Sequence, residues 1–176
     1  MEQYRKSPRA IFLDYDGGDF FVTICTRNRE HYFGEIVDGR MIMSEVGEFL
    51  TAQLSEYSLY SRDVEIPLFT VMPNHLHAIV HVKGEYAPDR RYDNREQRSV
   101  NPHLRSNPAE PQEMPKLSTY IRSLKGAVTK FAKSRRIEFA WQSRYHDHYI
   151  RNAHDGNNIA EYIMNNVARW DKDCFY

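Results

Sequence analysis

Two alternating apolar runs meet at a proline in this 176-residue chain, and no other feature narrows its fold as far. Val64, Ile66, Leu68, Thr70 and Met72 recur at every second position, Pro73-Asn74 supplies turn chemistry, and Leu76, Ala78, Val80 and Val82 alternate again. A period of two puts successive side chains on opposite faces of a strand, so the stretch predicts two antiparallel neighbours joined by a tight turn. The face opposite Leu76 and Ala78 then carries His75, His77, Ile79 and His81. A strand that sets two imidazoles side by side offers a divalent metal two nitrogen ligands at fixed spacing. The same tripeptide also suits a pair of surface or hydrogen-bonded histidines, and alone it does not choose between them.

The flanking sequence supplies the other elements. Phe20-Phe21-Val22-Thr23-Ile24-Cys25-Thr26 is β-branched and aromatic and predicts a first strand. Ser44 is a helix N-cap, and Val46, Phe49, Leu50 and Leu54 give an amphipathic helix to about Tyr57. From Lys83 to Met114 periodicity disappears among Pro88, Pro102, Pro108 and Pro111, which reads as a flexible insertion at 83–114. A second helix starts near Pro115 with Leu117, Tyr120, Ile121, Leu124, Val128 and Phe131 on one side. The aromatic stretch Glu138 to Ile150 is expected to form a fourth strand. A last helix runs from His154-Asp155 through Ile159, Tyr162, Ile163, Asn166, Val167 and Trp170.

Leaving that last helix aside, the order is strand, helix, strand, strand, helix, strand. This is the ferredoxin-like split β-α-β arrangement, an α+β fold with a four-stranded antiparallel sheet and helices on one face. The first and third strands are central there, so the histidine pair is expected mid-sheet on the face those helices leave open. Residues 1–176 are expected to form a single domain.

The chain has no formal net charge, with 24 basic and 24 acidic residues, but the charge is unevenly spread. Lys116, Arg122, Lys125, Lys130 and Arg144 belong to a basic region between Pro115 and Arg151 whose acidic residues are Glu138 and Asp147. Interleaved with Trp141 and Tyr145, it suits a polyanion whose bases stack, and it equally suits a basic helix with a solvated face. No apolar stretch approaches the ~20 residues that cross a bilayer. The start has no secretory signal, so a cytoplasmic protein without membrane contact is expected. Cys25 and Cys174 are far apart and are expected to be reduced thiols.

Tyr162 and Asn166 stand four residues apart, one helical turn, on one face. Phosphoryl transfer needs a nucleophile and a metal that neutralises developing charge, and a tyrosine, two histidines and an amide oxygen supply the donors. Oxygen and nitrogen ligands suit Mg²⁺ or Mn²⁺. Tyr162 beside Ile159 and Ile163 also fits an ordinary core stripe, and Asn166 also fits a backbone contact near a helix end.

Three separated motifs, Met72-Pro73-Asn74-His75-Leu76-His77, Trp141 through Arg151, and Glu161-Tyr162-Ile163-Met164-Asn165-Asn166, resemble in sequence and order the single-tyrosine HUH transposases, in particular their REP-associated tyrosine transposase branch. The resemblance covers about Phe20 to Trp170, apart from the insertion. It implies the HUH endonuclease fold with the tyrosine on a C-terminal helix, single-stranded or hairpin DNA as substrate, and a divalent metal. By matching position, it implies that His75 and His77 are metal ligands, Asn166 is a further ligand, and Tyr162 is the nucleophile that leaves a 5′-phosphotyrosine and a free 3′-OH. Lys116, Arg122, Lys125, Lys130 and Arg144 are then expected to contact DNA phosphates. Family members commonly carry proline after the asparagine, whereas Val167 follows Asn166 here and leaves the helix free to continue. Tyr120 and Tyr149 are weaker nucleophile candidates, because Leu124 follows Tyr120 by one turn and Tyr149 falls on an expected strand. Two other functions fit the same chain: a structured-DNA-binding module without cleavage, and a ferredoxin-like single-stranded RNA binder. No segment decides between a monomer and a homodimer.

Overall fold

Alternation along the first and third expected strands sorts their side chains into two faces, and both faces are used. The computed structural model describes residues 17–60, 63–84 and 116–172, so 85–115, most of the expected insertion, and Cys174 lie outside the described residues. Strands β1 (Gly18–Cys25), β4 (Val64–Met72), β5 (His75–Val82) and β6 (His146–Tyr149) form one antiparallel sheet in the order β4-β5-β1-β6. The expected central pair is therefore central. Its register sets Phe20 opposite Val80, Val22 opposite Ala78 and Ile24 opposite Leu76. All six side chains are buried in one core.

Helices α1 (Glu45–Tyr60) and α2 (Lys116–Arg135) cover that face. Val46, Leu50 and Leu54 from α1 meet Leu117, Ile121, Leu124 and Val128 from α2 over the sheet. Each such side chain contributes about 1.5–3 kcal/mol by leaving water. Phe49 and Phe131 stack 4.1 Å apart and join the two helices. Ser44 caps α1, its Oγ accepting from Gly47 N at 3.1 Å while donating to the Tyr32 carbonyl at 2.6 Å. On β4 the register slips between Glu65 and Leu68, where Pro67 has no N–H to give the ladder.

The structure departs from the sequence reading in three places. A small antiparallel pair, β2 (Gly34–Val37) and β3 (Arg40–Met43), precedes α1 and forms its own sheet. Asp38 (φ 51°) and Gly39 (φ 74°) make its turn, the left-handed conformation that an Asp-Gly hairpin adopts. The fourth strand is only His146–Tyr149 rather than Glu138–Ile150. Upstream of it the backbone is spent on other partners: Ile137 N bonds Ala132 O, Arg27 N bonds Ala140 O, and Gln142 N bonds Cys25 O. The last helix, α3 (Ala153–Asn165), stops before Asn166 and tightens into a 3₁₀ segment, Val167–Lys172, instead of continuing to Trp170 as one α-helix. Asn166 N reaches back only three residues to Ile163 O, and Arg169 N likewise to Asn166 O.

Two helical glycines separate packing from propensity. A Cβ at Gly47 would press into the Phe33 carbonyl, whereas one at Gly126 on α2 would meet nothing within 4 Å. Gly47→Ala is expected to destabilise the fold by about 2 kcal/mol or more. Gly126→Ala is expected to stabilise it by about 0.5–1 kcal/mol. Urea unfolding midpoints of both variants, read by circular dichroism, check the opposite signs.

Candidate active site

His75 and His77 project from β5 onto the face that α1 and α2 leave open, and both rings are buried, at 0% and 1% exposure. Two imidazoles out of water need a partner at every nitrogen. His75 Nδ1 lies 2.7 Å from Asn74 Oδ1, and His77 Nδ1 lies 2.8 Å from Thr23 Oγ1 on β1. The register that pairs Thr23 with His77 brings that hydroxyl in. The two Nε2 atoms then face each other at 3.0 Å. Because Asn74 Oδ1 only accepts, His75 donates from Nδ1 and turns the lone pair of its Nε2 toward His77. If the Thr23 hydroxyl donates, His77 carries its proton on Nε2 and gives it to His75. If the hydroxyl accepts, two lone pairs face each other, an arrangement that a proton or a bound cation would balance.

That second arrangement is what a metal requires, with each ligating ring held from behind by an oxygen. Two nitrogens about 2.1 Å from one ion and about 90° apart stand about 3.0 Å from each other, so the spacing of the pair fits. Among the described residues no third His, Cys, Asp or Glu joins them. Among the described residues a further protein ligand would therefore be a neutral oxygen donor, from an amide, a hydroxyl, a phenol or a backbone carbonyl.

Helix α3 brings a phenol, Tyr162, to this face, and the amide of Asn166 stands at its C-cap. Asn152 caps it, accepting from Asp155 N at 2.9 Å, and Asp155 Oδ2 in turn accepts from Arg151 N at 3.3 Å and from His148 Nε2 on β6 at 3.0 Å. Such reciprocal bonds satisfy donors that a helix start leaves open and fix where the chain enters. Ile163 is the buried apolar side chain of the helix. Tyr162, 38% exposed, is not a core residue, and its hydroxyl lies 3.2 Å from His77 Nε2. Phe21 supports both rings, stacking on His77 at 5.2 Å and meeting Tyr162 edge-on at 6.1 Å. Asn166 is buried at the C-cap of α3, at 3% exposure. Beyond it, Trp170 stacks over His75 at 6.1 Å and is itself met by His31 at 5.8 Å.

The residues expected to contact DNA lie elsewhere. Lys116, Arg122, Lys125 and Lys130 belong to α2, across the sheet from the histidines. Lys116 Nζ reaches Lys83 O at 2.9 Å and Asp63 at 3.3 Å, while Arg122 and Lys130 are exposed. Lys125 is half-buried, donates to Gln142 O at 2.6 Å and sits 5.7 Å from the centre of the Trp141 ring; burial holds its ammonium below the usual lysine range. Arg144 is exposed on the segment between α2 and β6. The aromatics of that segment are tied to α2: Trp141 Nε1 donates to Lys125 O at 3.1 Å, and Tyr145 shares a 3.0 Å hydrogen bond with Ser118. Tyr120 is buried among the core residues of α2, and Tyr149 lies edge-on to Phe20 at 5.5 Å. Sequence alone does not mark Thr23, Phe21, Asn74 or Trp170 as site residues. Asn74 stands inside the histidine motif, but the others are placed by strand register and by the turn of the chain after α3.

No model of a known family matches the sequence. An uncharacterized protein of Haemophilus influenzae is 30% identical over 181 residues, which span 98% of this chain and 93% of the relative. The chain belongs to the same family as that protein. A solved structure of a REP-associated tyrosine transposase bound to a REP hairpin shares the fold, with a TM-score of 0.55 at 20% identity, covering 97% of this chain and 74% of that one. The α+β architecture with its four-stranded antiparallel sheet is thus the fold of that solved structure.

The start of α3 has an acid-sensitive anchor. The hydrogen bond from His148, followed by that from Arg151 N, holds the Asp155 carboxyl below its ordinary value. A depressed folded value adds stability that is present above the unfolded carboxylate range, near pH 4, and is lost as the pH falls through the folded value. Asp155→Ala is expected to lower the melting temperature at pH 7 and to converge with wild type in acid. Amide exchange at 153–157 over a pH series checks that the loss is local to this helix start.

Proposed function

We propose that the protein is a single-strand-specific DNA endonuclease and strand transferase of the transposase type, with Tyr162 as its nucleophile and His75, His77 and Asn166 as ligands of Mg²⁺ or Mn²⁺. The observation that carries this reading is the convergence of three atoms from two elements: Tyr162 Oη lies 3.2 Å from His77 Nε2, which lies 3.0 Å from His75 Nε2. The partial exposure of Tyr162 supports it, because a nucleophile must meet a substrate from solvent. The fold shared with a REP-associated transposase that was solved bound to a REP hairpin supports hairpin-forming DNA as the substrate in this reading.

In this reaction the Tyr162 oxygen bonds to phosphorus while its proton passes to solvent. The phosphorus–O3′ bond breaks, and the 3′ oxygen takes up a proton and leaves as a hydroxyl. The DNA remains joined through a 5′-phosphotyrosine. The energy of the phosphodiester is kept in that link, so a later 3′-OH can attack it and rejoin strands without ATP. A divalent metal held by His75, His77 and Asn166 would supply Lewis-acid polarisation of the phosphate and offset developing charge. The chain's own residues orient the parts. Thr23 and Asn74 fix the imidazoles, and Phe21 restricts the Tyr162 ring.

Denaturing electrophoresis of labelled hairpin oligonucleotides with Mg²⁺ or Mn²⁺ tests the assignment. A covalent protein–DNA adduct is expected from wild type and is expected to disappear in Tyr162→Phe, in His75→Ala and with chelator. An adduct that survives Tyr162→Phe sinks the nucleophile assignment, and the absence of any adduct leaves a DNA-binding module as the better reading. Thr23→Val removes the oxygen behind His77 and is expected to weaken metal affinity about 10–100-fold, as measured by Mn²⁺ titration.

A further inference from the structure

We propose that Trp170 is a positioning residue of the metal site: its stack on His75 ends α3 at Asn166 and so fixes where that residue stands relative to the two imidazoles. The inference rests on the reading of Asn166 as a metal ligand and names what holds it in place. Nothing in the local sequence stops the helix there. Val167 through Lys172 contain neither glycine nor proline, the residues that ordinarily mark a helix end. The backbone supplies no left-handed cap either, since Asn166 keeps right-handed helical angles (φ −63°, ψ −44°) and no described residue from 153 to 172 has a positive φ.

A tertiary contact therefore ends α3, and Trp170 is placed to make it. It is the buried side chain of Val167–Lys172, at 9% exposure, while Ala168, Arg169, Asp171 and Lys172 face solvent. Its ring lies within 27° of parallel to His75, with centres 6.1 Å apart, and His31 meets it edge-on at 5.8 Å. The backbone bends to bring it there. Asn166 N and Arg169 N reach back three residues instead of four, and Arg169 leaves helical angles (φ −115°, ψ 22°). An α-helix turns about 100° per residue and a 3₁₀ helix about 120°, so over the four residues from Asn166 to Trp170 the two paths diverge by about 80°. An uninterrupted helix would swing the indole off the His75 ring.

Asn166 sits inside this tightened turn. Its N–H bonds Ile163 O rather than the carbonyl one residue earlier, so Asn166 moves when the turn relaxes. Buried Ile163 anchors the chain before it and buried Trp170 after it. Hydrogen-bond geometry in a 3₁₀ turn is poorer than in an α turn, so without the indole residues 166–170 regain better bonds by rewinding. Rewinding changes the rise by about 0.5 Å per residue, against the roughly 0.2 Å within which metal–ligand distances hold. The stack on one ligand, His75, thereby sets the place of another.

Trp170→Ala, Trp170→Leu and Trp170→Phe test this in the full-length protein. Without metal, the Cα chemical shifts of residues 166–170 are expected to move toward α-helical values in Trp170→Ala and to stay in place in Trp170→Phe, whose ring still stacks. Titration with Mn²⁺ is expected to show an affinity about 10–100-fold weaker for Trp170→Ala and within about threefold of wild type for Trp170→Phe. In an Asn166→Ala background the change Trp170→Ala is expected to cost less than about threefold, because the ligand it places is gone. Unchanged shifts in Trp170→Ala overturn the inference, and so does an equal loss of affinity with and without Asn166, which would make Trp170 a support of His75 alone. Trp170→Leu keeps apolar bulk without a flat ring and carries the same expectations if Trp170→Ala does not fold. Asn166→Ala that binds Mn²⁺ as tightly as wild type refutes the ligand reading, and the role of Trp170 at the site falls with it. The expected Mn²⁺ pattern without any protein–DNA adduct supports Trp170 as the positioning residue and refutes cleavage by Tyr162.

Discussion

Keeping two imidazoles out of water in the middle of a sheet is the constraint on which the rest of this structure turns. A buried donor or acceptor left alone costs about 1–3 kcal/mol, and the pair presents four ring nitrogens. Meeting them requires Thr23 from the neighbouring strand, Asn74 from the turn and the Tyr162 hydroxyl from a helix more than eighty residues away in sequence. Shifting β1 by one residue against β5 would turn Thr23 away and put Val22 or Ile24 against the ring. The polar demand of the histidines and the apolar demand of the core thus specify one register from opposite faces of the sheet.

The two faces are held by different forces. On the α1 and α2 side a continuous aliphatic core binds the layers, with the Phe49–Phe131 stack between the helices. On the other side α3 buries Ile163 and Asn166 and is otherwise fixed by polar contacts at its start and by the site itself. An element with little buried apolar surface sits toward the low end of local stability. The partly exposed Tyr162 thus rides on a lightly held helix, while His75 and His77 behind it are fixed within paired strands.

Sustained periodic features were legible in the sequence, and features set by tertiary contact were not. Alternation across Val64–Val82 marks both strands and the turn, and Ser44 with its apolar stripe marks α1. The β2–β3 hairpin escapes such a reading because four-residue strands carry too little periodicity, although Asp38-Gly39 is a usable signal. The stretch after α2 reads as strand by composition, but much of its backbone bonds to α2 and to the end of β1. His75, His77 and Tyr162 are recognisable from spacing and motif, and the structure brings these three together. Phe21 and Thr23 carry no local mark, because their roles arise only once β1 is paired with β5. The side of the protein on which the basic helix lies is likewise invisible in sequence, since charge clustering says nothing about which face a helix covers.

The placement of that basic helix has an electrostatic consequence. Its outward charges, among them Arg122 and Lys130, are separated from Tyr162 by the thickness of a helix layer and a sheet, on the order of 20 Å. At physiological ionic strength fields around exposed charges decay over about 8 Å, so little of the α2 potential survives at the tyrosine. Attraction of a polyanion to α2 and stabilisation of charge at Tyr162 are therefore separable properties of the molecule, free to be tuned by substitutions on one side that the other does not sense.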